Sequence, residues 1–259
     1  MGKKIADLAQ LLHTSDVFGE LPEKALREIA ARGRVEQMTE SVLLAAPGET
    51  PTHLHYVVAG SINLTYTTHD GRVAALPIFR GHWATWLGCF APSPVDYAMW
   101  TSRKATLVSF PTAIIRRHVE KDPEALLHVM RHISVTLRYL IRWTLQSAVL
   151  SPEKRLASFL LLATEMASAG AFRVDQIKIS QEQFGQLGLG SRQRVGRLLR
   201  DLAGRNLIIM NYGEVHIPDR ASLEAYVDSP DDPEDSGPAW PSPTARAIRA
   251  HGHPDSLNG

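Results

Sequence analysis

Apolar positions along the 259 residues change their period twice, and those changes divide the chain. Residues 1 to 40 set apolar among charged residues at helical spacing. Leu26, Ile29 and Ala30 share one face of a segment opened by Leu21-Pro22, and the pattern predicts two short helices. From Ser41 to about Phe110 the texture becomes β-rich. The runs "SVLLAAPGE", "HLHYVVAGSINLTYTTHDGR" and "KATLVSF" are separated by Pro-Gly, Ala-Gly and Asp-Gly turn signals, which predict a compact all-β unit. Its clearest hairpin turn is His69-Asp70-Gly71-Arg72, because Asp-Gly readily supplies the positive φ angles of tight turns.

The helical period returns from Pro123 to Val149, where Leu126, Met130, Ile133, Leu137, Leu140, Thr144 and Ser147 recur at alternating steps of four and three. Those are coiled-coil spacings. A helix packed on its own domain reads the same way, and the stripe fades into Thr144 and Ser147. Its place between a β unit and a second domain favours a dimer seam. Ser151-Pro152 then reads as an N-cap followed by proline at the first helical position, restarting a helix over "EKRLASFLLLATEMA" with a hinge between the two. Beyond Val227 the chain turns to "DSPDDPEDSGPAWPSP" and lacks the apolar content to fold, so residues 228–259 are expected to form a disordered tail.

The densest chemistry lies just before that tail. Ser180-Gln181-Glu182-Gln183 is a capping-box pattern opening a short helix to Leu187. Gly188-Leu189-Gly190 supplies a tight turn and Ser191 a second N-cap, which together make a helix-turn-helix signature. On the second helix Val195, Leu198, Leu199 and Leu202 fall at i, i+3, i+4 and i+7. Gln193, Gly196, Arg197 and Arg200 lie opposite, flanked by Arg192 and Arg194. An ordinary solvated face interleaves acids with bases, and here only Asp201 interrupts. Arginine pairs bidentately with guanine and glutamine with adenine, so the face suits DNA. Gly196 lowers helix stability but lets the backbone come close to a duplex. After the helix, "LIIMNYGEVHI" alternates around Asn211-Tyr212-Gly213 as a hairpin, fitting the wing of a winged helix.

The length favours about two domains, and the formal net charge of +1 requires any nucleic-acid surface to be a local patch. A single cysteine, Cys89, excludes an intramolecular disulfide and a multi-cysteine zinc or iron–sulfur site, and reads as a small buried residue. "MGKKIADLAQLLHTSD" has no apolar core for a signal peptide, and no stretch approaches the roughly 20 apolar residues of a membrane span. The expectation is a cytoplasmic protein with no membrane partner.

With these residues in view, "ISQEQFGQLGLGSRQRVGRLLRDLAGRNLI" resembles the C-terminal winged helix-turn-helix of the CRP/FNR superfamily of bacterial transcription regulators. A weaker match joins "VFGELPEKALREIA" and "PGETPTHLHYVVAGSINLTYTTHDGR" to the entry helices and β-roll of a cyclic-nucleotide-binding-type domain. The resemblance spans about Leu12 to Ile217. It implies an α+β fold: a double-stranded β-helix (jelly-roll or β-roll) sensor with N-terminal helices over 1–118, a long dimerisation helix over 119–150, and a winged helix-turn-helix over 151–227. It further implies a homodimer paired through Met130, Ile133, Leu137, Leu140 and Thr144, bound to a near-palindromic site on double-stranded DNA and working with RNA polymerase. Base contacts then fall to Arg192, Gln193 and Arg197, and phosphate contacts to Ser180, Ser191, Arg194, Arg200 and Arg205. Where well-known members carry a glutamate, this chain has Gln193.

The sensor departs from the family. A Gly-Glu pair that holds ribose is replaced by Thr85 and Trp86, and an Arg-Ser pair that holds the cyclic phosphate by Asp96 and Tyr97. An aspartate repels a phosphate and tryptophan accepts no hydroxyl hydrogen bond, so cAMP in the usual pose is not expected. An effector pocket is assigned to Trp83, Thr85, Trp86, Asp96 and Tyr97, although tryptophans such as Trp83, Trp86 and Trp100 more often fill a core. No cofactor, metal or catalytic residue is expected, and any small-molecule effector is unknown. Two alternatives stand beside this reading. His53 and His55 share one strand face and would chelate a metal in a cupin-like barrel, with His69 or His82 to complete the site. An effector-independent DNA-binding protein is the other.

Overall fold

The computed structural model describes residues 2–167, 175–179, 191–211 and 213–230, together with Phe184 and Leu189. Helices α1 (Gly2–His13) and α2 (Glu23–Arg32) form as the periodicity predicts, and α2 buries Ala25, Leu26, Ile29 and Ala30. Eight strands follow: β1 (Arg34–Gln37), β2 (Leu43–Ala45), β3 (His53–Ala59), β4 (Ser61–Thr67), β5 (Val73–Phe79), β6 (Trp83–Ala84), β7 (Ala98–Thr101) and β8 (Thr106–Pro111). They pair antiparallel in two sheets, ordered β1-β8-β3-β6 and β2-β7-β4-β5, which make the β-roll. Short helix α3 (Trp86–Phe90) links β6 to β7. Gly71, at φ +79°, turns the β4–β5 hairpin as the Asp-Gly pair predicts.

Alternation along β3 sorts the two sides of the first sheet. Leu54 joins the helices in a core with Leu12, Phe18, Ile29, Trp83, Val108 and Phe110. Val57 points the other way, into a smaller core between the sheets with Ala45, Ile62, Ala84, Met99 and Leu107. Strand β1 begins seven residues before the expected start of the β unit. Its four residues are all exposed, so "RVEQ" offers no alternation to read, and pairing with β8 alone makes it a strand.

Helix α4 (Thr112–Val119) leads to the long helix α5 (Pro123–Val149), capped by Asp122, whose carboxylate accepts from the amides of Glu124 and Ala125. The expected dimer stripe is redrawn. Met130 and Leu137 are 57 and 53 % exposed, but Ile133 packs on the helix-covered core, Leu140 is half-buried, and Thr144 Oγ1 donates to the Leu140 carbonyl. The exposed apolar row continues instead through Ile141, Leu145 and Val149. A straight helix of 3.6 residues per turn carries the row around in steps of four once Ile133 is used inside the protomer.

Helix α6 (Pro152–Ala167) opens the C-terminal unit, followed by β9 (Gln176–Lys178), α7 (Arg192–Gly204), β10 (Ile209–Asn211), β11 (Glu214–His216) and α8 (Arg220–Asp228). The strands form a sheet ordered β10-β11-β9. Leu156, Leu160, Phe184, Val195, Leu199, Leu202, Val215 and Leu223 share its core. Helix α8, capped by Asp219, extends one residue into the expected tail; residues 231–259 lie outside the described residues, as does the capping box at 180–183.

Candidate nucleic-acid interface

Helix α7 starts where Ser191 predicts, with the serine oxygen accepting from the Arg194 amide. Val195, Leu199 and Leu202 are buried, Leu198 packs at the edge of the same core, and Arg192, Gln193, Arg194, Arg197 and Arg200 are exposed. Burial of the apolar stripe therefore fixes which way the arginines point. The hairpin β10–β11 pairs Asn211 with Glu214, with Gly213 at φ +71° in its turn and Ile209 and Met210 exposed, as a wing requires.

One arginine differs from its expected place, and another stands out that the sequence did not flag. Arg205, expected at a phosphate, sits past the C-terminal end of α7, where its guanidinium pairs with Glu153 at 3.5 Å and covers the Tyr226 ring at 5.5 Å. That places it in an intramolecular cluster rather than on the arginine face. Arg155 of α6, which has no helix-turn-helix signature to flag it, lies beside that face. Burial first, and then the neighbouring positive Arg194, lower its pKa below the usual guanidinium range. One of the Arg155 nitrogens, Nη2, donates to the Leu150 carbonyl at 3.4 Å. Ser180 lies outside the described residues.

The five residues assigned to an effector pocket do not converge. Trp83 is buried against the helices, 5.0 Å from both Phe18 and Tyr56, and Trp86 lies among Phe18, Phe90 and His132. These two tryptophans fill the core, because strand alternation turns Trp83 away from the roll's interior. Asp96 is exposed and Tyr97 packs at the edge of the inter-sheet core. Thr85 alone borders a cavity between the sheets. Trp100, the third tryptophan read as pocket or core, is partly exposed on β7.

That cavity, of about 310 Å³, is lined by polar residues from β1, β3 and β8 and by apolar ones such as Met38, Leu44 and Met99. Inside it the Ser109 hydroxyl donates to Glu36 Oε2 at 2.8 Å, and His55 Nδ1 lies 2.8 Å from Ser109 Oγ. Because the serine proton goes to the carboxylate, Nδ1 must be the donor of its bond, which leaves Nε2 as an acceptor. Burial, then the neighbouring His53, pushes the His55 pKa down to about 4, so the ring is neutral at pH 7. This is not a nucleophilic triad, since the serine gives its proton to the acid rather than to the imidazole.

His53 and His55 do share a face, with ring centroids 6.2 Å apart. Among the described residues no three His, Cys, Asp or Glu side chains come together to hold a metal, and His82 Nε2 is bonded to the Met166 carbonyl at 2.6 Å. The cupin-like alternative has no third ligand there. Cys89 is buried, and desolvation pushes its thiol up to about 12.

Residues 154–226 match the Crp-like helix-turn-helix domain family. The chain is 27% identical over 174 residues to the cAMP-activated global transcriptional regulator CRP of Pasteurella multocida, covering 66% of this chain and 82% of that one. It is also 27% identical over 173 residues to the protein of the same name from Haemophilus influenzae, covering 65% and 76%. The fold matches FixK2 from Bradyrhizobium japonicum with a TM-score of 0.64 at 16% identity, over 77% of this chain and 99% of that one. A CRP-family transcriptional regulator from Thermus thermophilus gives 0.55 at 22% identity, over 76% and 97%. An arginine-faced helix in a winged unit, joined by a long helix to a two-sheet roll, defines a DNA-binding regulator of transcription. Residues 154–226 belong to the Crp-like helix-turn-helix domain family, and the chain as a whole is similar to transcriptional regulators of the CRP/FNR type. Among the described residues no helix is long and apolar enough to cross a membrane.

Proposed function

We propose that the protein is a homodimeric, sequence-specific regulator that reads a near-palindromic DNA site through Arg192, Gln193 and Arg197 and acts with RNA polymerase in the cytoplasm. It catalyses no reaction and uses no cofactor. The observation that carries this reading is the exposure of Arg192, Gln193, Arg194, Arg197 and Arg200 opposite the buried Val195, Leu199 and Leu202. Arg194, Arg200 and Ser191 are the phosphate anchors. The cAMP activation named for the Pasteurella and Haemophilus relatives does not carry over. Trp86, which replaces the ribose-holding acid, is turned into the helix-covered core, and the exposed Asp96 replaces the phosphate-holding arginine.

Selection of bound genomic fragments tests the reading and supplies the operator. On that operator Arg197→Ala should cost about 1 to 3 kcal/mol and relax selectivity at one base position. Equal losses on specific and random DNA would refute base reading by Arg197. The cAMP statement is tested separately, by titrating cAMP into the full chain: saturable binding at micromolar concentration that increases operator affinity would overturn it.

A further inference from the structure

We propose that the interior of the β-roll binds a free L-α-amino acid with an apolar or aromatic side chain, its carboxylate on Arg34 and its ammonium on Glu36. Strand alternation puts Arg34 and Glu36 on the face of β1 that looks into the cavity, and both are exposed at its rim. The two do not pair with each other. Among the described residues, Arg34 makes no side-chain hydrogen bond or ion pair, and Glu36 accepts from Ser109 alone, through one oxygen. The rim therefore holds a positive and a negative group, each with bonding capacity left.

A simple anion satisfies Arg34 and leaves Glu36 facing it; a simple cation does the reverse. A zwitterion satisfies both, with the planar guanidinium suited to a bidentate carboxylate. Behind the rim, Met38, Leu44 and Met99 offer an apolar wall for a side chain, and the neutral His55 lines the same cavity. The volume of about 310 Å³ stands at the small end of ligand sites, as a free amino acid requires. The regulator reading makes such a ligand an effector, but binding itself needs no DNA.

Calorimetric titration of the full chain with each proteinogenic L-amino acid at millimolar concentration tests the site. At least one aliphatic or aromatic member should bind, and Arg34→Gln and Glu36→Gln should each weaken it about ten-fold or more. The amide of the bound amino acid should be weakened similarly on the unaltered protein. Both positions are exposed, and circular dichroism of each variant should match that of the parent. No binding by any member overturns the proposal; so does binding that survives both substitutions, or equal binding of the corresponding acid without its amino group. An amino acid that binds without changing operator affinity leaves the site standing and counts against its being an effector site.

Discussion

The ring of Phe79, the last residue of β5, lies 6.2 Å from the ring of Phe159 in α6. Phe159 in turn meets Trp143 of α5 edge-on at 5.5 Å and Phe184 at 6.0 Å, so one strand end of the roll is part of the DNA-binding unit's core. Three residues on, His82 Nε2 reaches the Met166 carbonyl at the far end of α6. A signal that moves the β4–β5 hairpin has a packed, continuous route to the arginine face. Phe79→Ala removes the aromatic contact, with a loss of about 3 to 5 kcal/mol if the site cannot collapse. Calorimetry should then show one unfolding transition dividing into two. A single transition merely displaced to lower temperature would mean that Phe79 stabilises the protein without joining its parts.

His55 predicts a pH dependence. Its folded pKa of about 4 lies below the ordinary 6.5, so the unfolded chain binds the extra proton first as pH falls. The stability tied to the neutral ring is complete above pH 6.5 and is lost progressively down to pH 4. It amounts to about 3 kcal/mol at most, from a shift of that size. Urea titrations across this window should show stability falling with pH, and His55→Gln should flatten that part of the curve. An unchanged slope in the variant would assign the dependence to other groups.

The redrawn stripe on α5 separates two positions one helical turn apart. Leu137 is exposed and Ile133 is packed within the protomer, so lysine at each should fail in a different way. Leu137→Lys should leave a folded chain that sediments as a monomer, because a charge in a coiled-coil seam opposes pairing without touching the core. Ile133→Lys should lower thermal stability of the monomer itself, by burying an unpaired charge. A dimer that survives Leu137→Lys combined with Ile141→Lys would rule out this row as the seam.

How much of this was legible in the sequence follows from where the side chains go. Helices α2, α5 and α7 were readable because their apolar period coincides with a buried face or, on α5, with an exposed apolar row. Strands β1 and β9 were not: one has every residue exposed, and both are too short for alternation to register. Residue type named Trp83 and Trp86 as pocket or core, and only strand direction decided for the core. His53 and His55 were visible as a pair, but their polar partners were not. Ser109 meets Glu36 across 73 residues and His55 across 54, and only the pairing of β1, β8 and β3 makes them neighbours. The amphipathic face of α7 was fully legible, whereas the reassignment of Arg205 depended on Glu153 and Tyr226, distant in the chain.

Arg200 and Arg205 stand one helical turn and a residue apart, and salt dependence of DNA binding distinguishes them. Arg200 is exposed on the face of α7 that carries Arg197, and its removal should abolish one phosphate contact. The slope of log K against log salt should become shallower by about 0.9 for Arg200→Ala. Arg205→Ala should leave that slope unchanged. It removes the ion pair that offsets the burial of Glu153 and a cation over the Tyr226 ring, so the effect should fall on stability instead. Both readouts are needed for each variant, because a destabilised protein also binds less DNA. A slope change in Arg205→Ala equal to that of Arg200→Ala, with stability intact, would return Arg205 to the DNA interface.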